Sequence, residues 1–204
     1  MSTPFGNPAA AVSPPARAQR ADAASNRVRI LDAADEVFGR GGAAASTEEV
    51  ARLAGVGIAT VFRHFPAKAD LLDEVLARRF ERLRERAGEL AGPPAEPGPA
   101  LFGMFTEMVG DAPGKIAIAD ALVDAGGETG DSSRVAQAAG ELRQAVGVLL
   151  ARAQAAGAVR ADVELPELYA LLAGMSRAAA HGPRDPGVWG RALDVVFDGL
   201  RGPG

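Results

Sequence analysis

Residues 46–72, STEEVARLAGVGIATVFRHFPAKADLL, decide the fold of this 204-residue chain. Ser46 followed three residues later by Glu49 is typical of a capping box, which starts a helix by satisfying free backbone N–H groups. Gly55 then ends a short helix, and Pro66 ends a second one. The stretch therefore predicts two short helices joined at a glycine, followed by a third and longer helix.

This pair of short helices has the residues that a helix-turn-helix requires. Small side chains at the turn let two helices cross closely at a steep angle. Larger apolar side chains fill the wedge between the helices. The small residues are Ala51, Ala54 and Gly55, and the wedge residues are Val50, Val61 and Phe65. In such motifs the second helix places its N-terminal residues in the major groove of DNA.

Outward from this stretch, the periodicity predicts an all-α protein of about nine helices. Apolar residues recur every three or four positions, and alternation typical of strands is nearly absent. The first helix is expected from Ser25 to Gly39, and a long connecting helix spans 68–90. Beyond a Gly/Pro-rich linker at 92–99, helices are expected near 99–110, 114–125, 131–156, 165–181 and 187–201.

The expected domain organisation follows from these breaks. Residues 1–24 are rich in Ala, Pro and Ser and are expected to form a disordered arm. Arg17 and Arg20 lie near the end of the arm, which is either a solvated tail or a segment that reaches a DNA groove. Residues 25–72 would form the helix-turn-helix domain, and residues 73–204 a ligand-binding and dimerisation domain.

Composition excludes several classes of protein. Cysteine is absent, which removes disulfides, cysteine-ligated zinc and cysteine nucleophiles. No apolar run is long enough to predict a transmembrane helix, and no signal peptide is recognisable. The net charge of −4 argues against a broadly basic nucleic-acid coat, so DNA contacts must come from a local cluster. A cytoplasmic location is expected.

The stretch from Thr47 to Leu72 resembles the DNA-binding signature of the TetR family of transcription regulators. The family pattern is (I/V)-A-x-x-A-G-V, then T-(L/V)-(Y/F)-x-(H/Y)-F, then Pro-x-Lys and an apolar pair. The matching positions are Val50, Ala51, Ala54, Gly55, Val56, Thr60, Val61, His64, Phe65, Pro66, Lys68, Leu71 and Leu72. With the preceding helix, the resemblance covers roughly residues 25–75.

The resemblance implies which residues contact DNA. Gly57, Ile58 and Ala59 would face base edges, although none of them can hydrogen-bond a base. Arg63 is the candidate for a polar base contact, such as guanine O6 and N7, and could equally bind phosphate. The expected phosphate contacts are Thr60, His64 and Lys68, the last at the N-terminus of the long helix.

Two positions depart from the family pattern. Position 62 is commonly tyrosine, whose hydroxyl would reach a phosphate, whereas Phe62 cannot donate a hydrogen bond and would pack against a sugar or serve the core. Ala67 replaces the usual polar cap before the long helix. Phe62 predicts weaker anchoring to the DNA backbone at that position, and specificity would also depend on DNA shape.

The C-terminal half shows no catalytic constellation. The two histidines, His64 and His181, are far apart in sequence, and neither a helical metal-binding spacing nor a nucleophile motif is present. The chain is therefore not expected to be an enzyme or to carry a cofactor or metal.

By resemblance, this half is a helical regulatory domain with an effector cavity. The candidate ligand-binding residues are Met104, Phe105, Met108, Leu122, Leu149, Tyr169, Leu172, Met175 and Arg177. Most of them are apolar and also suit ordinary core packing. Few charges lie on the expected buried faces, which favours a small, mainly hydrophobic effector. Tyr169 and Arg177 would give that effector polar contacts.

The resemblance also implies a homodimer that pairs its last two helices, about residues 165–201. Small residues in the first of them allow close helix approach, and Leu193, Val196, Phe197 and Leu200 give the second an apolar stripe. A two-fold dimer suits a palindromic operator with half-sites about 34–36 Å apart, or a multiple of that distance.

The leading hypothesis is thus a repressor that a small effector releases from its operator. The second hypothesis is a helical protein-interaction module that no longer reads specific DNA, supported by the apolar Gly57–Ala59 tip and Phe62. A third, a small helical enzyme for an apolar substrate, would require a convergent acid/base pair inside the cavity.

Overall fold

The structure is a computed structural model that describes residues 16–127, 133–182 and 185–202. These ranges contain eight α-helices and no strand, which confirms the predicted all-α class. No helix in these ranges is long and apolar enough to cross a membrane. The helices are α1 Ala16–Gly41, α2 Thr47–Ala54, α3 Ile58–His64, α4 Lys68–Leu90, α5 Pro97–Asp124, α6 Arg134–Ala155, α7 Leu165–His181 and α8 Pro186–Leu200.

Helix α1 begins at Ala16, nine residues before the expected start at Ser25. The predicted disordered arm is therefore wrong for residues 16–24, while residues 1–15 lie outside the described ranges. The segment 16–24 consists mostly of alanine, arginine and glutamine, which are among the strongest helix formers. Its lack of large apolar residues predicts disorder, but the helix propensity of these residues extends the adjacent helix towards the N-terminus.

Helix α5 is continuous where the sequence predicted two helices, 99–110 and 114–125. Pro113 lies inside it on the solvent-exposed side. A proline inside a helix removes one backbone hydrogen bond and typically costs about 3 kcal/mol. The neighbouring Val109, Ala112 and Ile118 are fully or almost fully buried, and their packing holds the helix together across the proline. This continuity explains why eight helices rather than nine are present among the described residues.

Two hydrophobic cores are stacked along the molecule. The N-terminal core combines α1, α2, α3 and the first half of α4 with Ile118, Ala121 and Leu122 of α5 and Val135 and Ala138 of α6. The C-terminal core combines the second half of α4 with α5, α6, α7 and α8. Helices α4, α5 and α6 thus contribute to both cores, so apolar packing crosses the predicted domain boundary at residue 72.

The C-terminal helix α8 packs onto α5 through Phe197. The Phe197 ring stacks on Phe102, with ring centroids 4.6 Å apart, and meets the edge of Phe105 at 5.7 Å. Phe197 and Leu200 are buried in the protomer's own core. The apolar stripe that the sequence assigned to a dimer interface therefore faces inward, and other residues must form any outer contact.

Candidate nucleic-acid interface and C-terminal cavity

Helix α2 is fixed at both ends by its own sequence. The Ser46 hydroxyl accepts a hydrogen bond from the Glu49 N–H at 3.2 Å, and the Glu49 carboxylate accepts one from the Ser46 N–H at 3.2 Å. The predicted capping box is therefore confirmed. At the other end, Gly55 adopts a φ of 64°, in the left-handed region that favours glycine.

Arg29 of α1 ties the helix-turn-helix to the helix behind it. Its guanidinium donates to the carbonyl oxygens of Ala54 and, at 3.0 Å, Gly55. These carbonyls close α2 and have no partner inside the helix, so a cation satisfies both their hydrogen bonding and the helix dipole. A side chain at position 55 would also place its Cβ 3.0 Å from this guanidinium. The C-terminal end of α2 is therefore held against α1 by a polar contact that the motif alone does not reveal.

Helix α3 has one buried face and one exposed face. Val61 is fully buried, and Phe65 just beyond the helix is nearly so. The residues predicted to face DNA lie on the other side: Gly57, Ile58, Ala59, Phe62 and Arg63 are all exposed. Phe62 exposes 44% of its surface, so it does not serve the core. Arg63 makes no hydrogen bond or ion pair to any described residue and is free to meet a ligand.

His64 and Thr60 are half-buried at the edge of this face. The Nε2 atom of His64 is buried and has no hydrogen-bond partner among the described residues. Burial lowers the pKa of His64, and the nearby Arg63 and Arg27 lower it further. The ring is therefore neutral at neutral pH, and a phosphate contact there would start from an uncharged imidazole.

The Lys68 ammonium group has a structural role. It donates to the carbonyl oxygens of Ala45 at 3.0 Å and Ala43 at 3.3 Å and lies 5.1 Å from the centre of the Phe38 ring. These contacts hold the connection between α1 and α2. Of the three ammonium donors, one remains for a phosphate.

Asp70 supplies the cap that Ala67 lacks. Its carboxylate accepts a hydrogen bond from the Ala67 N–H at 2.9 Å. Ala67 itself contributes no side-chain bond to the N-terminus of α4. The carboxylate therefore occupies one of the backbone donors that a phosphate would need at this helix end.

A cavity of about 270 Å³ lies between α4, α5, α6 and α7. Its walls are mainly apolar, with one tyrosine, one serine, one lysine and one arginine. The lining residues are Phe80, Met108, Lys115, Ile116, Ala139, Leu142, Tyr169, Leu172, Ala173, Ser176 and Arg177. Its volume is close to the lower end of the roughly 300–1,000 Å³ typical of small-molecule pockets.

Arg79 connects this cavity region to α1. Its guanidinium is 2.5 Å from an Asp35 carboxylate oxygen on α1 and 3.0 Å from an Asp111 carboxylate oxygen on α5. Gly114 makes room for it, because a Cβ there would lie 2.5 Å from an Arg79 nitrogen. The ion-pair network therefore joins α1, α4 and α5, and Asp111 lies one helical turn before Lys115 of the cavity wall.

Comparisons with known proteins cover both halves of the chain. A sequence profile of the bacterial regulatory proteins of the tetR family matches residues 30–75. A second profile, described as a transcriptional regulator SbtR-like C-terminal domain, matches residues 96–202, more than half of the chain. A TetR transcription regulatory protein from Mycobacterium vanbaalenii is 37% identical, with 90% of this chain and 99% of that one covered and a TM-score of 0.72.

The chain belongs to the TetR family of bacterial regulatory proteins. A TetR transcriptional regulator from Streptomyces coelicolor is 31% identical over 87% of this chain and 99% of that one, with a TM-score of 0.73. The HTH-type transcriptional repressor KstR of Rhodococcus jostii is 44% identical over 61 residues. That match spans only 29% of each protein.

For this TetR-family chain, the cavity divides the predicted ligand-binding residues into two groups. Met108, Tyr169, Leu172 and Arg177 line it. The others pack in the hydrophobic cores and do not line the cavity. Leu122 belongs to the N-terminal core, and the C-terminal core contains Met104, Phe105, Leu149 and Met175. The apolar character of the second group predicts burial, but it does not distinguish the wall of a cavity from a packed core.

Sequence reasoning missed Lys115 in the cavity of this TetR-family protein. Lys115 is partly buried, lies 5.5 Å from the centre of the Phe80 ring and makes no hydrogen bond or ion pair to any described residue. Burial lowers the pKa of Lys115, and Asp111 opposes that effect. The signal was a single lysine in the stretch 112–119, APGKIAIA, which is otherwise uncharged.

Proposed function

We propose that this protein represses transcription by binding a palindromic operator as a homodimer, and that a small molecule in the C-terminal cavity releases it. The observation that carries the proposal is the exposed face of α3, which ends in the unpaired guanidinium of Arg63. A free guanidinium on a recognition helix suits bidentate contact with guanine O6 and N7. The proposed site of action is the cytoplasm, where a bacterial regulator meets its DNA.

The proposed contacts divide between bases and phosphates. Arg63 reads a base edge, while Gly57, Ile58 and Ala59 allow close approach and contact with thymine methyl groups. The exposed Phe62 packs on a sugar or a thymine methyl. Thr60 and His64 contact phosphates, and Lys68 contributes mainly by holding the turn between α1 and α2. Replacing Lys68 therefore tests the motif's architecture and not only its charge.

The first experiment is a random-site selection with the purified full-length chain, followed by binding measurements on the selected DNA at several salt concentrations. Arg63→Ala should weaken operator binding about 10- to 100-fold and relax base preference at one position of each half-site. The matched control is Arg52→Ala, which removes another exposed arginine from α2. It should weaken binding to all sequences alike.

The second candidate function, a protein-interaction module without specific DNA binding, rests on the apolar tip of α3 and on Phe62. If the selection enriches no sequence and Arg63→Ala changes no DNA affinity, the repressor proposal is wrong and the interaction module is favoured. A salt-dependent preference for a palindrome excludes the module as the main function.

The proposed homodimer uses the outer faces of α7 and α8. Leu171, Val188 and Val195 are exposed on these helices, and Val195 exposes 71% of its surface. Exposed apolar residues on two adjacent helices suit an isologous contact with a second copy. Val195→Asp should give a monomer in analytical ultracentrifugation and abolish operator binding, whereas Val123→Asp, at another exposed valine on α5, should leave the dimer intact.

The proposed release passes through the Arg79 network. An effector that shifts α5 in the cavity would move Asp111 relative to Arg79 and hence Asp35 on α1. Such a shift changes the separation of the two recognition helices only if the effector binds one arrangement better than the other.

A further inference from the structure

The charged groups around the cavity are unevenly distributed. Its lining includes the cations Lys115 and Arg177 but no aspartate or glutamate. Arg177 is exposed and Lys115 is partly buried, and both line the same cavity. The sequence predicted a weakly polar effector because few charges were expected on the buried faces, and these two residues are the exceptions.

The ammonium group of Lys115 has no hydrogen-bond acceptor among the described residues. The nearest described partners are the face of the Phe80 ring and the charge of Asp111 one turn away. The Asp111 carboxylate is already bonded to Arg79 at 3.0 Å. A partly buried ammonium with three unused donors is costly to desolvate, and an anion that supplied acceptors would offset that cost.

Tyr169 adds a neutral donor to the same wall. Its hydroxyl oxygen is buried and has no hydrogen-bond partner among the described residues. Burial raises the pKa of Tyr169 to about 12, so the hydroxyl stays protonated and can donate. The guanidinium of Arg143 lies 4.7 Å from the centre of the Tyr169 ring, which adds positive charge just outside the cavity.

We infer that the effector is a small amphipathic anion, a carboxylate with an apolar body, whose acidic group is bound by Lys115 and Arg177 while the apolar body contacts Met108, Leu142 and Leu172. The inference rests on the proposed role of this cavity as the effector site. A carboxylate supplies acceptors for both cations. The volume of about 270 Å³ limits the ligand to a small molecule.

The experiment compares acids with their uncharged amides. Octanoate, decanoate and phenylacetate, each paired with its primary amide, are titrated into the dimer without DNA by isothermal calorimetry. At least one acid should bind about tenfold or more tightly than its amide, because charge-assisted hydrogen bonds are lost with the charge. Lys115→Met and Arg177→Gln should each abolish most of that preference.

Arg143→Gln is the matched control. It removes a nearby cation that does not line the cavity, and it should change acid binding by no more than about threefold, as expected for a screened exposed charge. Circular dichroism and operator binding of each variant without ligand show whether it folds.

Two results would overturn the inference: no acid that binds more tightly than its amide, or an acid preference that survives both cavity substitutions. Neither of these results depends on DNA. The repressor proposal fails separately, when the unliganded dimer selects no operator. Acid-selective binding without operator release would support the ligand class and contradict the proposed release.

Discussion

The helix-turn-helix and the cavity differ in how many of their polar groups are hydrogen-bonded within the protein. Around α2 and α3, Ser46 bonds Glu49, Arg29 bonds the end of α2, and Lys68 bonds the turn after α1. In that region the helix ends and the connection after α1 are hydrogen-bonded within the protein, although His64 Nε2 and Arg63, at the proposed DNA-facing side, have no such bond to a described residue. The cavity wall instead leaves Lys115 and the Tyr169 hydroxyl partly or fully buried without such bonds among the described residues.

The difference indicates how each region works. A surface that must fit successive DNA grooves needs a fixed shape, and short helices of seven or eight residues acquire one only from caps and tertiary contacts. A binding cavity needs unused donors, since every donor already bonded within the protein is lost to the ligand. The unbonded donors of Lys115 and Tyr169 therefore indicate the proposed binding cavity more clearly than its apolar walls do.

The largest expected effect is a difference in the free energy of unfolding between a substitution in the N-terminal core and one at the cavity wall. Leu71 is fully buried in the N-terminal core, whereas Leu172, 6% exposed, lines the cavity. Leu71→Ala should lower the free energy of unfolding by about 3–5 kcal/mol, and Leu172→Ala by no more than about 2, because part of its surface already faces a void. Urea denaturation at one protein concentration measures both. Equal losses would mean that the cavity is closed in solution.

A smaller effect is expected where the two regions meet. Arg79→Met removes both ion pairs of a side chain that is only 12% exposed. The substitution should lower the free energy of unfolding by about 1–3 kcal/mol, which is less than expected for breaking a fully buried ion pair. Arg82→Met is the control, because Arg82 is half-exposed and bonds only Asp35 in this network, so its loss should stay below about 1 kcal/mol. If the two variants unfold alike, the network does not join the regions.

The cavity tyrosine predicts an effect at high pH. Because burial raises the pKa of Tyr169 from 10.0 to about 12, the folded state holds its proton more tightly than the unfolded state does. Stability should therefore fall as the pH rises from 10 towards 12, by about 1 kcal/mol or less for a partly exposed group. Tyr169→Phe should lack this component of the fall. Identical pH profiles for both proteins would show that the hydroxyl is solvated.

The smallest effect is expected at the DNA-facing edge. Burial lowers the pKa of His64 in the free protein, and a phosphate beside the ring would raise it in the complex. Operator affinity should then rise about threefold between pH 8 and pH 6, as expected for partial protonation of a single group on binding. His64→Gln should remove that rise. A pH response that persists in the variant would assign it to another group.

The sequence predicted the N-terminal region better because its signals are local. Ser46, Glu49 and Gly55 act within a few residues of themselves, so their roles can be deduced without knowing the rest of the chain. The sequence predictions were wrong where tertiary packing or intrinsic helix propensity determines whether a segment is helical. Pro113 does not break α5 because its neighbours are buried, and the alanine-rich start of α1 is helical although its sequence has no large apolar residues to mark a helix face.

The cavity could be predicted only in part. Tyr169 and Arg177 were identified because amphipathic residues stand out on α7, and Met108 and Leu172 because they are apolar. Lys115 was missed, since a lysine on a mostly apolar helix face is normally a solvated one. Which faces of four helices enclose a void depends on how they cross, and that arrangement involves residues distant in the chain.

Because α5 is continuous through Pro113, a tilt of one part of this helix would move its other end as well. Its 28 residues give a rod about 42 Å long. Ile118, Ala121 and Leu122 near its far end are fixed in the N-terminal core, while Met108 and Lys115 form part of the cavity wall. A tilt of about 5° would displace the end of such a rod by nearly 4 Å, as its length dictates. A break at Pro113 would absorb such a motion, whereas a continuous helix would transmit it to the N-terminal core, which contains residues of α1, α2 and α3.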